Sequence, residues 1–110
     1  AQSLPLRLSF SFEAAQSLPQ LPEGHPCRRI HGQSYRVEAA ATDSEALIAP
    51  LAEIYEALDH RYLNDIEGLE QATCERISRW IWIFLESRSI VPSMVMVQET
   101  PGARCLYRGE

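Results

Sequence analysis

Cys27, His31, Asp59, His60 and Glu99 are residues of this chain whose types and spacing can do chemistry. Cys27 and His31 share one short stretch, Cys27-Arg28-Arg29-Ile30-His31-Gly32-Gln33. A thiol is a useful base or nucleophile only when its pKa is drawn toward neutral. Asp59 and His60 are adjacent. A carboxylate beside an imidazole orients the ring and stabilises its charged form, so such a pair can move protons near neutral pH. Glu99 and Thr100 close an apolar run. A carboxylate there can accept two parallel hydrogen bonds from a planar partner. By type alone, a cysteine and a distant Asp-His pair need have no connection. Glu99 equally reads as a strand-end carboxylate in water, and His31 as a loop histidine held by packing.

These residues need elements to position them. Leu4, Leu6, Leu8, Phe10 and Phe12 alternate with Pro5, Arg7, Ser9, Ser11 and Glu13, the period-two pattern of a strand with one buried face. Pro19, Pro22, Gly24, Pro26 and Gly32 punctuate residues 18–32, which read as a loop. Tyr35, Val37, Ala39 and Ala41 alternate again and predict a second strand, weakened by its alanines. Leu47, Leu51, Ile54 and Leu58 have helical spacing, with Asp43 or Ser44 as N-cap. Pro50 is tolerated only if it falls in the first turn, so the helix should begin near residue 47. Thr73 caps a second helix whose apolar face is Ile77, Trp80, Ile81, Phe84 and Leu85. Residues 94–97 form a third strand, Pro101-Gly102 a turn, and Cys105 to Arg108 a fourth strand. The order ββααββ predicts an α+β domain, with an antiparallel four-stranded sheet and both helices on one face. Long sheet edges invite pairing, and closure of several subunits into a barrel would remove them.

Bulk properties narrow the function. The 110 residues fit a single domain, 1–110. A net charge of −5 argues against nucleic acid as a partner, because phosphate binding needs clustered cations. No apolar run reaches membrane-spanning length, so no membrane partner is expected. Three cysteines without disulfide-framework spacing, and no export pattern, predict a cytoplasmic, reduced protein.

Ordered motifs along nearly the whole chain carry a resemblance. Phe12-Glu13-Ala14-Ala15-Gln16 is followed by Cys27 and His31-Gly32-Gln33, then Leu58-Asp59-His60 and Tyr62-Leu63-Asn64. Thr73-Cys74-Glu75, Trp80-Ile81-Trp82, Gln98-Glu99-Thr100 and the closing Tyr107-Arg108-Gly109-Glu110 come next. The set resembles the 6-pyruvoyltetrahydropterin synthase family, most of all its bacterial 6-carboxytetrahydropterin synthase branch of queuosine biosynthesis. The family frame reads FEAAH, C, HGH, LDH-x-x-LN, PT-x-E, ET and YRGE.

The resemblance implies a T-fold, with sheets joined between subunits into a barrel as a trimer or hexamer. It implies a lyase acting on a pterin-type small molecule, 7,8-dihydroneopterin triphosphate. Cys27, Asp59 and His60 match its catalytic residues, Glu99 its pterin anchor, and Thr100 a weaker substrate contact. The family holds zinc with three histidines. His31 matches one; Gln16 and Gln33 stand at the other two positions. A glutamine offers only a neutral carbonyl oxygen, which suits zinc poorly. Zinc is therefore expected to be absent or weakly bound, and activity impaired. The alternative is a non-catalytic pterin-binding or structural oligomer. The connection near 42–45 is shorter than in the family, so the strand ending at Ala41 should be truncated.

Overall fold

The computed structural model describes residues 7–18, 22–24, 30–100 and 104–109. Cys27 lies outside them, as do the side chain of Thr100 and the expected turn at Pro101-Gly102. The period-two segments become β1 (Arg7–Gln16), β2 (His31–Ala41), β3 (Pro92–Thr100) and β4 (Arg104–Tyr107). The helical segments become α1 (Ile48–Leu58) and α2 (Cys74–Ser87). The strands form one antiparallel sheet in the order β1-β2-β3-β4. The β1–β2 and β3–β4 hairpins are fused through β2–β3 pairing, with both helices inserted between them in sequence.

One face of the sheet meets both helices. Phe12, Tyr35, Val37, Ala39, Val95 and Val97 pack there against Leu51, Ile54 and Leu58 of α1 and Ile77, Ile81 and Leu85 of α2. Phe12 and Tyr35 are register partners and stack with ring centroids 4.8 Å apart. Burying each large aliphatic side chain in such a core is worth about 1.5–3 kcal/mol. On the helix-free face Ala40, Met94 and Met96 form a smaller cluster.

Pro50 falls in the first turn of α1, where its missing N–H removes no helical bond. A short 3-10 turn, Glu45–Leu47, leads directly into that helix. Asp43 Oδ1 accepts from the Ala46 N–H at 3.3 Å, so Asp43 and not Ser44 is the capping side chain. β2 ends at Ala41, with a register shift at Ala40/Ala41, and Leu47 is fully buried. Thr73 caps α2 by accepting from the Arg76 N–H. Trp80 and Phe84, expected on the apolar face, are only partly buried and stack on each other at its margin. Gly68, at φ +92°, makes the turn that lets Trp80 pack close and donate to the Glu67 carbonyl.

Two expected boundaries need correction. β1 continues past Glu13 to Gln16, and β2 begins at His31, inside the segment read as loop. The pairs Ala15↔Gly32 and Gln16↔His31 extend the hairpin. Alternation of apolar residues fades there, but the backbone ladder does not depend on side-chain polarity.

The far end of β1 is fixed by Asn64. Its Oδ1 accepts from the Ser17 N–H at 2.9 Å, and its Nδ2 donates to the carbonyls of Ser17 and Glu70, both at 2.8 Å. Tyr62 and Ser17 share a hydroxyl–hydroxyl bond of 2.8 Å. Asn64→Ala strands the backbone polar groups of buried Ser17. It should cost about 2–3 kcal/mol, read as a lower urea midpoint at unchanged slope.

Candidate functional site

Asp59 and His60 follow directly from the end of α1. The segment they begin docks on the outer edge of β1. His60 N–H donates to the Glu13 carbonyl at 2.6 Å, and Ala15 N–H to the Arg61 carbonyl at 2.9 Å. Ala15 and Tyr62 form an isolated parallel bridge. To make this turn His60 takes φ 57°, a left-handed conformation that costs a residue with a Cβ about 1–3 kcal/mol.

The Asp59 carboxylate uses both oxygens. Oδ1 accepts from the Glu13 N–H at 3.0 Å, and Oδ2 from His60 Nδ1 at 2.7 Å. The Tyr55 hydroxyl also donates to it. The Glu13 N–H, then His60 and Tyr55, hold the Asp59 carboxyl below its ordinary value, against the opposing effect of burial. With Nδ1 bound, the imidazole of His60 is left 79 % exposed with Nε2 pointing away from Asp59. The pair that the sequence suggested is therefore formed, with the carboxylate orienting the ring.

His60 lines a cavity of about 660 Å³ together with Glu13, Gln33, Ser34, Arg61 and Tyr62. Ser34 Oγ lies 2.6 and 2.9 Å from the two oxygens of Glu13, which ties that carboxylate down. Gln33 and His60 thus share one cavity although they are far apart in sequence.

Gln16, His31 and Gln33 share the helix-side face of the β1–β2 hairpin, as their register requires. Gln16 is 1 % exposed, and its Nε2 donates to Glu99 Oε1 at 3.2 Å. The bond reaches across β2, since Glu99 lies on β3 opposite Tyr35. Cys74, in the first turn of α2, hydrogen-bonds to both the backbone and the carboxylate of Glu99. Burial, then Glu99, pushes the Cys74 thiol up to about 12, so it is a protonated donor at neutral pH. Burial, then Glu99, also raises the Tyr35 phenol above its ordinary range. Glu99 is therefore gripped by an amide and a thiol. Sequence reasoning gave no role to Tyr35 or Cys74. The one available signal was a tyrosine at a core-facing position of β2, where its hydroxyl needs a partner.

The donor atoms at the three implied zinc positions are one imidazole and two amides. Gln16 turns its nitrogen to Glu99, and an amide oxygen is a weak zinc ligand in any case. No group of three His, Cys, Asp or Glu side chains among the described residues is placed to hold a metal ion. These residues do not fit a three-histidine zinc centre.

Comparison with known proteins follows the same lines. A family described as 6-pyruvoyl tetrahydropterin synthase matches residues 6–110. A 6-carboxy-5,6,7,8-tetrahydropterin synthase of Synechocystis is 42 % identical over 99 residues, covering 74 % of each chain. The structure of Caenorhabditis elegans 6-pyruvoyl tetrahydropterin synthase superposes with a TM-score of 0.82 at 22 % identity, over 97 % of this chain and 96 % of that one. An uncharacterised Wolinella succinogenes protein, WS1659, gives a TM-score of 0.69 at 20 % identity, over 98 % and 100 %. The two structures share the fold of this chain. Among the described residues, no helix is long and apolar enough to cross a membrane.

Asp59 supplies a pH test. Its native pKa is depressed, so its contribution to stability is full above the ordinary value of 3.8 and is lost as pH falls through the lower native value. Asp59→Asn should be less stable than the parent at neutral pH, and the two urea midpoints should converge in acid. Parallel midpoints across the range would contradict this.

Proposed function

The chain belongs to the 6-pyruvoyl tetrahydropterin synthase family, and from that premise we propose that it is a 6-carboxytetrahydropterin synthase-type protein with an altered metal site. Its substrate is 7,8-dihydroneopterin triphosphate, on the route to queuosine and related 7-deazapurines. The observation that carries the reading is the bonded Asp59–His60 pair at 2.7 Å, whose His60 lines the same cavity as Gln33.

The roles follow from chemistry. Glu99 accepts hydrogen bonds from the ring edge of the pterin, with Thr100 beside it. Asp59 holds the His60 ring so that its free nitrogen moves a proton at the side chain of the substrate. Cys27 is the partner thiol in that transfer. In the family, zinc polarises the substrate side chain when bound. With Gln16 and Gln33 in place of two imidazoles, no step here passes through a metal, and catalysis is correspondingly weak. The protein is a single domain over residues 1–110, a homo-oligomer (trimer or hexamer), cytoplasmic, and binds no nucleic acid. Oligomerisation is supported by the outer edge of β4 and by the edge of β1 before Glu13, which no strand of the same chain covers among the described residues.

A second reading is favoured by one contact. Gln16, at an implied metal position, turns its amide nitrogen to Glu99, as expected of a pterin-binding protein that performs no metal-dependent turnover.

Purified protein should carry well below one equivalent of zinc by elemental analysis. It should turn over dihydroneopterin triphosphate roughly a hundredfold or more slowly than a Gln16→His/Gln33→His variant that regains zinc. Stoichiometric zinc with full turnover in the parent chain would refute the altered-site reading. Saturable pterin binding with no turnover in either form would leave the second reading.

A further inference from the structure

Two buried polar atoms beside Glu99 have no hydrogen-bond partner among the described residues: Gln16 Oε1 and the Tyr35 hydroxyl. Both residues are almost completely buried, at 1 % exposure each. Buried polar groups are nearly always satisfied, and an unmet one destabilises the fold, so two around a single carboxylate need a reason. They are not scattered. Tyr35 is the register partner of Glu99, and Gln16 is hydrogen-bonded to it. Glu99 itself is only partly buried, so it is the member of the cluster nearest solvent.

The spare capacity has a definite pattern. The oxygen of Gln16 can only accept. The remaining capacity of the Glu99 carboxylate can only accept. The Tyr35 hydroxyl can donate. A ligand that meets all three must present donors to Gln16 and Glu99 and an acceptor to Tyr35. A 2-amino-4-oxopyrimidine edge has this set: an amino group, a ring N–H and a carbonyl oxygen. A ring with a 2-oxo group lacks the amino donor.

We propose that Gln16 and Tyr35 are specificity-determining residues that complete, around Glu99, a recess reading the 2-amino-4-oxopyrimidine edge of the ligand. This rests on the pterin-binding reading above and deepens it. Gln16, expected at a metal-ligand position, instead couples that position to the ring anchor. Ligand binding satisfies the two polar atoms left unmet among the described residues.

Fluorescence titration with pterin, and with lumazine as the 2-oxo control, tests this on the full chain. The near-isosteric variants Tyr35→Phe and Gln16→Met should each weaken pterin binding about five- to tenfold, the scale of one lost hydrogen bond. Tyr35→Phe should not lower the apo melting temperature, because it removes only an unmet polar atom; Gln16→Met, which also removes the bond to Glu99, is read by its discrimination. Lumazine should bind the parent more weakly than pterin does, and Gln16→Met should narrow that gap. A merely structural role would instead lower melting temperature and leave discrimination intact. Pterin binding that Glu99→Gln abolishes, but that both variants keep at parental strength and selectivity, would overturn this inference alone. Absence of pterin binding by the parent chain would overturn it together with the reading on which it rests.

Discussion

The end of β1 is held from both sides, and the candidate site depends on that grip. On one side β2 pairs with it through Gln16↔His31. On the other, residues 59–64 close its free edge with two backbone bonds, the Asp59 carboxylate and the Asn64 amide. An extended strand end without such partners would fray. Here it becomes a fixed rail that sets Glu13 and His60 at one cavity and Gln16 at Glu99. The family-like Asp-His and Leu-Asn elements therefore hold the strand in place.

Holding the rail has a local cost. His60 sits at φ 57°, in the left-handed region, and is offset by a 2.6 Å backbone bond and by the Nδ1 contact with Asp59. The same backbone turn that costs conformational energy aims the imidazole outward. A relaxed conformation would break the pairing with Glu13 and turn the ring away from Asp59. Strain and orientation are thus two consequences of one turn.

Around Glu99 the balance differs. A core of Phe12, Ile77, Ile81 and Val97 is satisfied by apolar packing alone. At its margin the chain buries an amide, a phenol and a thiol around one carboxylate, and two of their polar atoms are unmet among the described residues. Replacing the polar cluster by apolar residues would give a simpler interior. Retaining it makes sense where a ligand completes the set. The raised thiol of Cys74 fits this picture: it is a hydrogen-bond donor to Glu99 and, at neutral pH, a poor nucleophile.

Much of the fold was legible in residue order. Alternation marked the strands, Leu47 to Leu58 and Ile77 to Leu85 marked the helices, and Thr73 marked a cap. Asp59–His60 was legible because adjacency forces proximity. The boundary between loop and strand at His31 was not legible, because backbone pairing continues where the apolar alternation stops. Nor was the partner of Gln16. By itself the sequence determined which residue types were available and that two amides stand at implied metal positions. Tertiary structure decided what those amides do, because Gln16 meets Glu99 only when β1, β2 and β3 lie side by side, and a contact between residues 83 positions apart leaves no local pattern to read.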